Sequence, residues 1–374
     1  MTFELLRSRE ALLAIRDEWD ALWARSHGDY YLSFASCLLS WDLMHAPQRH
    51  KLCCAIARDN GRLVAVLPMV TRRNRLWTIA STCGPEAAEG CDVLQAADAS
   101  PELGRQLLRF LMKKGRPDII SFPFVRSGNV LDQAVQELDS FHLVSQTDIM
   151  PYALLAEETS WLDYERTLGR GTQSQTGRKR RRLEELGRVT IERIEGSADA
   201  DIDWLLDEKA KWGQRVEKVG PWLFSDAYRA YLKSYAAASD PARERVLTFV
   251  LRLDGKPAAV KVIVVGPTLC TLIIAAYDEE LSRFSPGNIL DEVWVRYVFD
   301  HCRDNSGRRL NINFGNGVER YKMHWGRGYT YGSRTYKVAA SRWGEVPYRL
   351  KAAAQKVAKL RQRAGRLTTS PILH

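Results

Sequence analysis

The sequence has no long apolar run and no cysteine pattern typical of a metal site or a disulfide framework. No run of about 18 apolar residues occurs, and Glu4 and Arg7 put charges where a signal peptide needs an apolar block. The seven cysteines are an odd and scattered set, with no CxxC pair and no histidine at zinc spacing. We therefore expect a cytoplasmic protein with reduced structural thiols and no bound metal.

The chain is too long for one core and carries a strong positive charge. Its 374 residues favour two domains of about 150 to 200 residues each. The formal net charge of +10 favours acidic partners such as nucleotide cofactors, nucleic acid or an anionic membrane face. Between Arg342 and His374, eight Lys or Arg residues stand against one Glu, so much of the charge is local. Charge alone does not choose among these partners.

The basic tail also has a narrow apolar stripe. Leu350, Ala353, Ala354, Val357 and Leu360 recur at helical spacing among the basic residues. This pattern predicts an amphipathic helix within 346–366. The helix either docks on the preceding domain or makes a weak contact with an anionic membrane surface, which would place the protein peripherally at the inner membrane.

The same series of elements is predicted twice along the chain. Asn60-Gly61 lies between apolar runs, which is a strong hairpin signal, and Asp254-Gly255 repeats it. A helix beginning at Ser100-Pro101 and another at Ser285-Pro286 follow the hairpins, and each precedes a strand. We infer a tandem duplication, although both devices are common enough to coincide by chance.

This repeat predicts a mixed α+β fold of two tandem domains, each with a largely antiparallel central sheet flanked by helices. The domains are expected at 1–150 and 151–341, followed by the basic tail at 342–374. In the second domain, the helix from Pro286 presents an apolar stripe that includes Leu290, Trp294 and Val298, with Asp291 on its polar side.

The start of that helix is suited to an anionic ligand. Ser285 is expected to cap the helix through its hydroxyl, Pro286 is preset for the first helical position, and Gly287 leaves its N–H open to an approaching group. Helix N-termini of this kind bind phosphate, although the same residues also form ordinary helix starts. The first half has Glu102 in place of the glycine, so only the second half is expected to bind a cofactor.

A second motif follows on the next strand and loop. Residues 311–317 read Asn-Ile-Asn-Phe-Gly-Asn-Gly, and Glu319, Tyr321-Lys322 and Trp325-Gly326 come after them. With the Ser-Pro-Gly helix start, this order resembles the GNAT superfamily of acyl-CoA transferases. Within that superfamily it is similar to the CelD-like acetyltransferases, which are FemAB-related tandem GNAT proteins of bacterial cellulose and exopolysaccharide systems. One position departs from the pattern, because Asn313 stands where such proteins carry Asp.

The resemblance implies acetyl-CoA as the acyl donor and a carbohydrate or amino-sugar acceptor. Candidate catalytic residues are Tyr321 as the acid, Glu319 as the base, Lys322 as a binder of an acidic acceptor or of phosphate, and His324 as a proton shuttle. As alternatives, Tyr321 is a buried structural tyrosine, and Glu319 and Lys322 are surface charges. The candidate cofactor-binding residues are Ile274, Ala275, Arg283, Ser285, Pro286, Gly287 and Asn288. The candidate substrate-binding residues are Asn313, Gly315, Asn316 and Gly317.

Three functions are compatible with these motifs. The leading one is an acyl-CoA-dependent N- or O-acyltransferase that modifies a sugar or sugar precursor of an exopolysaccharide. The second is a Fem-type transferase using aminoacyl-tRNA, in which the basic run Arg178 to Arg182 binds the phosphate backbone. The third is a catalytically degenerate GNAT pair that acts as an assembly component, which Asn313 would favour. Nucleic acid other than tRNA is not an expected partner.

Overall fold

The computed structural model describes residues 1–85, 88–140, 142–158, 160–169, 172–216 and 220–351. The strands are β1 Thr2–Leu6, β2 Lys51–Leu52, β3 Cys54–Asp59, β4 Arg62–Leu67, β5 Met69–Asn74, β6 Trp77–Thr82, β7 Leu94–Gln95, β8 Ile119–Arg126, β9 His142–Ala153, β10 Val189–Glu195, β11 Arg245–Leu253, β12 Lys256–Val265, β13 Leu269–Tyr277, β14 Asn311–Asn313 and β15 Thr330–Ala339. The helices are α1 Arg9–Ala14, α2 Arg16–Trp23, α3 Phe34–Ser40, α4 Pro101–Gly115, α5 Val130–Gln136, α6 Trp161–Thr167, α7 Thr172–Glu184, α8 Asp199–Val216, α9 Asp226–Ala237, α10 Pro286–His301 and α11 Arg320–Trp325. Residues 342–351 are also helical, and the rest of the predicted tail helix lies outside the described residues.

The strands form two sheets flanked by helices, which confirms the predicted α+β class. One sheet has four strands in the order β1-β3-β4-β7, and the other has eleven in the order β10-β11-β12-β13-β14-β9-β15-β8-β6-β5-β2. Neighbouring strands are antiparallel except for β6 with β8 and β13 with β14. Along the chain, a long helix lies between the two strands of each parallel pair. It is α4 in the first half and α10 in the second.

The repeated hairpins have the same turn geometry. Asn60 and Gly61 between β3 and β4 have φ of 47° and 82°, and Asp254 and Gly255 between β11 and β12 have φ of 48° and 79°. Two successive positive φ angles are the signature of a type I′ turn, which matches the twist of paired strands. Both predicted hairpins, both Ser-Pro helices and the strands after them are therefore confirmed.

The last strand lies in the sheet of the first half. β15 is hydrogen-bonded to β8 on one side and to β9 on the other, with Val338 opposite Ile120. The predicted division at residue 150 falls within β9, which also pairs with β14. Residues 330–339, expected in the second domain, thus complete the sheet of the first, and one sheet runs through both halves.

Buried polar contacts also join the halves. The Glu244 carboxylate, 5% exposed, accepts hydrogen bonds from Ser33 Oγ at 2.8 Å and from Tyr235 Oη at 2.7 Å. Ser33 caps α3 of the first half, whereas Tyr235 lies on α9 of the second. Burial raises the pKa of Glu244 to about 7, against the two hydroxyl donors that lower it.

The helix α10 is fixed by its apolar face. Leu290, Trp294 and Val298 are fully buried against β11, β12 and β13, as the predicted stripe requires. Burying a side chain of this size contributes about 1.5–3 kcal/mol. The opposite face of the same strands packs on α8 and α9. This packing holds the N-terminus of α10 beside the end of β13.

Candidate active site

An opening between two parallel strands holds a cavity in the second half. β13 and β14 are paired only from Leu269 opposite Asn311 to Thr271 opposite Asn313, after which the two chains diverge. A cavity of about 670 Å3 occupies the opening. Its lining residues are Gln175, Thr176, Lys179, Glu208, Lys209, Trp212, Lys261, Ala275, Ala276, Tyr277, Glu279, Ser282, Ser285, Gly287, Asn288, Asp291, Glu319, Arg320, Tyr321, His324 and Trp325.

The α10 start borders this cavity, but Ser285 does not cap it as expected. Ser285 adopts a left-handed conformation with φ 55° and ψ 52°, and its hydroxyl makes no capping hydrogen bond. Its carbonyl instead accepts the N–H groups of Asn288 and Ile289. The prediction of a side-chain cap is wrong because the 3₁₀ turn Glu279–Phe284 runs directly into the helix, and an αL residue is needed to join the two. By contrast, Ser100 caps α4 through its Oγ.

Gly287 is open to a ligand. In the described part of the chain, no acceptor takes the Gly287 N–H, and a Cβ placed on this residue would lie 3.5 Å from the Tyr277 ring. The helix behind this N–H is 16 residues long, so its positive end faces the cavity. Lys179 and Arg320 add positive charge to the lining. The arrangement can hold a phosphate or pyrophosphate group.

The other expected cofactor residues divide into two groups. Ser285, Asn288 and Ala275 line the cavity with Gly287. Pro286 and Ile274 are buried, Ile274 in the core beside α8 and α9, and the Arg283 guanidinium stacks on the Phe284 ring at 4.7 Å.

A buried ion pair that the sequence did not reveal lies against Tyr321. Lys261 Nζ on β12 donates to Asp291 Oδ1 on α10 at 2.6 Å, and these side chains are 4% and 1% exposed. Trp294 Nε1 donates to the same oxygen at 2.9 Å, and Lys261 Nζ lies 4.6 Å from the centre of the Tyr321 ring. The expectation that Asp291 lies on the polar face of its helix is therefore wrong. Its face is covered by β12, and Lys261 supplies the charge that makes burial tolerable.

These contacts set the protonation of the site. Burial lowers the pKa of Lys261 from its usual value, whereas the neighbouring Asp291 carboxylate acts to raise it. Burial, with the carboxylates of Asp291 and Glu319 nearby, raises the pKa of Tyr321 well above 10. Tyr321 is therefore a neutral phenol at physiological pH and carries a proton that it can donate.

The remaining candidate catalytic residues occupy different environments. Glu319 lines the cavity with its side chain 46% exposed, and its Oε2 lies 3.2 Å from Lys322 Nζ. Lys322 is buried and also donates to the Asn316 carbonyl, so its ammonium group holds the loop rather than lining the cavity. His324 lines the cavity, and burial lowers its pKa below 6.5, which leaves the imidazole neutral at pH 7.

The four expected substrate-binding residues contact the first half of the chain. Asn313 Nδ2 donates to Asp29 Oδ2 at 3.0 Å, and its Oδ1 accepts the Gly315 N–H at 3.0 Å. The Asn316 N–H donates to the Glu89 carboxylate, and Gly315 and Gly317 have positive φ angles of 73° and 108°. Thr271 Oγ1 donates to Asp29 Oδ1 at 2.6 Å. The Asn313 amide thus supplies a hydrogen-bond donor to Asp29, whereas a carboxylate at this position would place two acidic groups side by side.

The helix α8 supplies cavity residues that sequence reasoning missed. Lys209 and Trp212 both line the cavity, with Lys209 Nζ 4.0 Å from the Trp212 ring. Burial and the positive charge of Lys322 lower the pKa of Lys209 to about 8. No local signal in the sequence of α8 identifies which of its polar residues reach the site.

The corresponding opening in the first half is filled. β6 and β8 pair from Ile79 to Ser81, as their counterparts do, but Cys91 then forms a parallel bridge with Val125 farther along β8. At the start of α4, Glu102 is ion-paired with Arg105. Glu102 thus stands at the position that corresponds to Gly287. The chain at Cys91 lies where the second half has its cavity.

Three further observations concern the described residues. None of their helices combines the length and the apolar character needed to cross a bilayer. None of their His, Cys, Asp and Glu side chains form a group of three that could hold a metal ion. The seven cysteines are all described, buried and unpaired.

Comparison with known proteins gives a family match within the second half. Residues 170–323 match the family model of the acetyltransferase (GNAT) domain. No curated protein matches the chain.

Solved structures share the fold over most of the chain. FemX has a TM-score of 0.60 at 11% identity, covering 90% of this chain and 97% of that one. The C-terminal domain of a putative lysylphosphatidylglycerol synthetase from Agrobacterium fabrum has a TM-score of 0.52 at 12% identity, covering 90% and 95%. A tandem GNAT protein from the clavulanic acid biosynthesis pathway has a TM-score of 0.50 at 11% identity, covering 91% and 99%.

The tandem arrangement predicted from the repeated elements is thus confirmed, whereas the specific CelD-like resemblance stays a prediction. The chain carries a GNAT acetyltransferase domain on a tandem GNAT fold, and it is an acyltransferase.

Proposed function

We propose that the second half transfers an acyl group, with acetyl-CoA as the donor, and that the first half serves as a scaffold. The observation that carries this proposal is the opening between β13 and β14, bordered by the free Gly287 N–H at the N-terminus of α10. A cavity bordered by a helix N-terminus suits a long thiol arm attached to a pyrophosphate. The GNAT match over 170–323 supports the same donor.

The pyrophosphate would lie on the first turn of α10, against the backbone of Gly287 and Asn288, with Lys179 and Arg320 adding charge. The thioester would lie along 274–277, where β13 has left its parallel partner. A backbone N–H of that segment would polarise the thioester carbonyl and stabilise the tetrahedral intermediate. Acyl transfer of this kind needs no enzyme-bound intermediate.

Tyr321 and Glu319 are proposed to move the protons. The acceptor nitrogen or oxygen attacks the carbonyl carbon and gives its proton to Glu319, directly or through a water molecule. The carbon–sulfur bond then breaks, and Tyr321 gives its proton to the departing thiolate. The Lys261 ammonium group, 4.6 Å from the centre of the Tyr321 ring, makes a cation–π contact that holds the ring in place.

The acceptor is proposed to be a sugar or amino sugar of an exopolysaccharide, modified by N- or O-transfer at the cytoplasmic side of the membrane. This part rests on the CelD-like resemblance of 311–326.

Two substitutions at one position test the donor site. Gly287→Ala adds a Cβ at ordinary contact distance from Tyr277, so we expect it to keep cofactor binding. Gly287→Glu places bulk and negative charge at the proposed phosphate site and should abolish binding. Acetyl-CoA at 100 times its dissociation constant should stabilise the wild type and the alanine variant against unfolding by about 2.7 kcal/mol, and the glutamate variant not at all. Equal stabilisation of all three proteins would place the cofactor elsewhere, and no effect on the wild type would reject an acyl-CoA donor.

A second candidate is transfer from aminoacyl-tRNA, because α7 places exposed arginines beside the cavity. Gln175, Thr176 and Lys179 of this helix line the cavity, while Arg178, Arg181 and Arg182 face solvent. FemX, the protein named in one similar structure, gives the fold precedent. This function predicts tRNA binding that weakens steeply with salt and is lost in an Arg178→Glu/Arg181→Glu variant, with no response to acetyl-CoA. A folded protein that binds neither donor would indicate a degenerate pair.

A further inference from the structure

Exposed apolar side chains gather at one edge of the first half, away from the cavity. The tip of the β5–β6 hairpin meets the helical segment 342–351 there. Leu76 is 57% exposed, Trp343 is 46% exposed and Leu350 is 64% exposed. We call Leu76, Trp77, Trp343 and Leu350 the tryptophan edge. None of these residues lines the cavity described above.

The edge is held in a defined shape. The rings of Trp77 and Trp343 stack with centroids 5.8 Å apart and planes at 24°. Trp77 Nε1 donates to the Trp343 carbonyl at 3.0 Å, and Trp343 Nε1 donates to the Leu76 carbonyl at 3.2 Å. Leu350 lies seven residues after Trp343 on one helix, so the two side chains share a helix face. The hairpin tip and the helix therefore present one apolar surface.

Exposed basic residues flank this surface on both elements. Arg75 and Leu76 form the turn between β5 and β6, with Arg75 at φ 54°. The only acid of the helical segment is Glu345, which pairs with Arg349. The nearby Asp118 is used internally, because its carboxylate accepts the Thr78 N–H and the Ser341 hydroxyl. The exposed basic side chains are Arg72, Arg73, Arg75, Arg342, Arg349 and Lys351.

We propose that the tryptophan edge docks on an anionic lipid bilayer. Tryptophan rings with one apolar body and one N–H suit the membrane interface, and leucine side chains reach the acyl boundary beneath it. The basic residues around them match the negative charge of phosphatidylglycerol or a similar lipid. The apolar groups protrude from a hairpin turn and a helix face. A protruding surface can insert into a bilayer, whereas binding of a peptide would need a groove. This proposal does not depend on the acyl donor or the acceptor.

Cosedimentation of the full chain with vesicles tests the proposal. Vesicles of equal parts phosphatidylcholine and phosphatidylglycerol should bind the protein at low ionic strength, and pure phosphatidylcholine vesicles should bind it much less. Bilayers that contain brominated lipid should quench tryptophan fluorescence in the wild type, and should quench it less in Trp343→Phe. A protein that does not bind the anionic vesicles, or binds both kinds equally, overturns the proposal.

Matched variants separate this edge from the rest of the chain. Leu76→Ser/Leu350→Ser should lower the partition coefficient at least tenfold, whereas Leu162→Ser, at a leucine 53% exposed on α6, should not change it. Arg75→Glu should lower it by more than about fivefold, since each basic residue near an anionic surface is worth about fivefold. Lys256→Glu, at the exposed turn of the second hairpin, is the matched charge control.

Two results would contradict the assignment. Partition that is unchanged in the edge variants would show that residues beyond 351 bind the lipid without the edge. A partition coefficient that falls equally in the control variants would show that binding depends on net charge and not on the tryptophan edge. Unfolding curves of all variants, measured in parallel, identify any that lose binding through loss of folding. Acetyl-CoA stabilisation should be the same in every folded variant, so a failure of this proposal is distinguishable from a failure of the donor site.

Discussion

Breaking the buried pair of Lys261 and Asp291 should destabilise the protein strongly, whereas removing both charges together should not. Both side chains are almost completely buried, at 4% and 1% exposure. Removal of one partner leaves the other charge without compensation, which costs about 3–5 kcal/mol of unfolding free energy. Lys261→Met keeps roughly the volume of the side chain, and Asp291→Leu keeps its branched shape with two methyl groups in place of the two oxygens. We expect each single variant to lose stability in this range at pH 7.

The double variant should recover most of that loss. Apolar replacement of a whole buried ion pair is often neutral or stabilising. Trp294 Nε1 also donates to Asp291, so its N–H stays unsatisfied in the double variant and costs about 1–3 kcal/mol. The double variant should therefore be more stable than Asp291→Leu alone. The loss in Asp291→Leu should also shrink at alkaline pH, because a neutral Lys261 amine is less costly to bury.

Urea unfolding, followed by circular dichroism and tryptophan fluorescence, measures these free energies, and the double-mutant cycle gives the coupling. The exposed pair of Arg296 and Asp300 on the same helix is the control, and its removal should cost no more than about 0.5 kcal/mol. Additive losses, or single losses below about 1 kcal/mol, would refute the claim that each charge is buried only because the other compensates it.

Three further predictions concern single positions. Tyr321→Phe should lower kcat by about 10²–10⁴ with acetyl-CoA affinity unchanged, and wild-type turnover would remove Tyr321 as the acid. Because the folded pKa of Glu244 is about 7 and its unfolded value about 4.5, the folded protein holds this proton more tightly. The stability of the wild type relative to Glu244→Gln should be highest below pH 4.5 and should fall by about 3 kcal/mol as the pH rises through 7, at about 1.4 kcal/mol per pKa unit. An equal pH dependence of the two proteins in thermal unfolding would contradict the assignment. Asn313→Asp should destabilise the fold by about 1–3 kcal/mol, because it opposes a carboxylate to Asp29, and Asn313→Ser, measured by the same unfolding assay, should cost less.

The parts of the fold that depend on nearby residues could be predicted from the sequence. Asn60-Gly61 and Asp254-Gly255 determine their turns through backbone sterics alone, and the stripe of α10 follows from its 3.6-residue period. The accessible N–H of Gly287 could also be predicted, because it follows from the absence of a side chain on glycine.

The failures have a common cause in contacts between distant parts of the chain. Ser285 was expected to cap α10, but the preceding 3₁₀ turn sets its backbone. The helical period predicts a polar face for Asp291, whereas its partner, Lys261, lies 30 residues away on a strand. The contacts of Asn313 with Asp29 and of Asn316 with Glu89 span more than 200 residues. No periodicity within one segment records such pairs.

The position of β15 has a consequence for how the protein is made. This strand lies between β8 and β9, so the first half cannot complete its sheet until residues 330–339 have left the ribosome. During nearly the whole of synthesis, Ile120, Phe122 and the other buried residues of β8 lack their final neighbour, and an unpaired strand edge of this kind is prone to aggregation. A chain truncated before residue 330 would lose the first half as well as the end of the second. The chain is thus two repeats in sequence but one unit in folding.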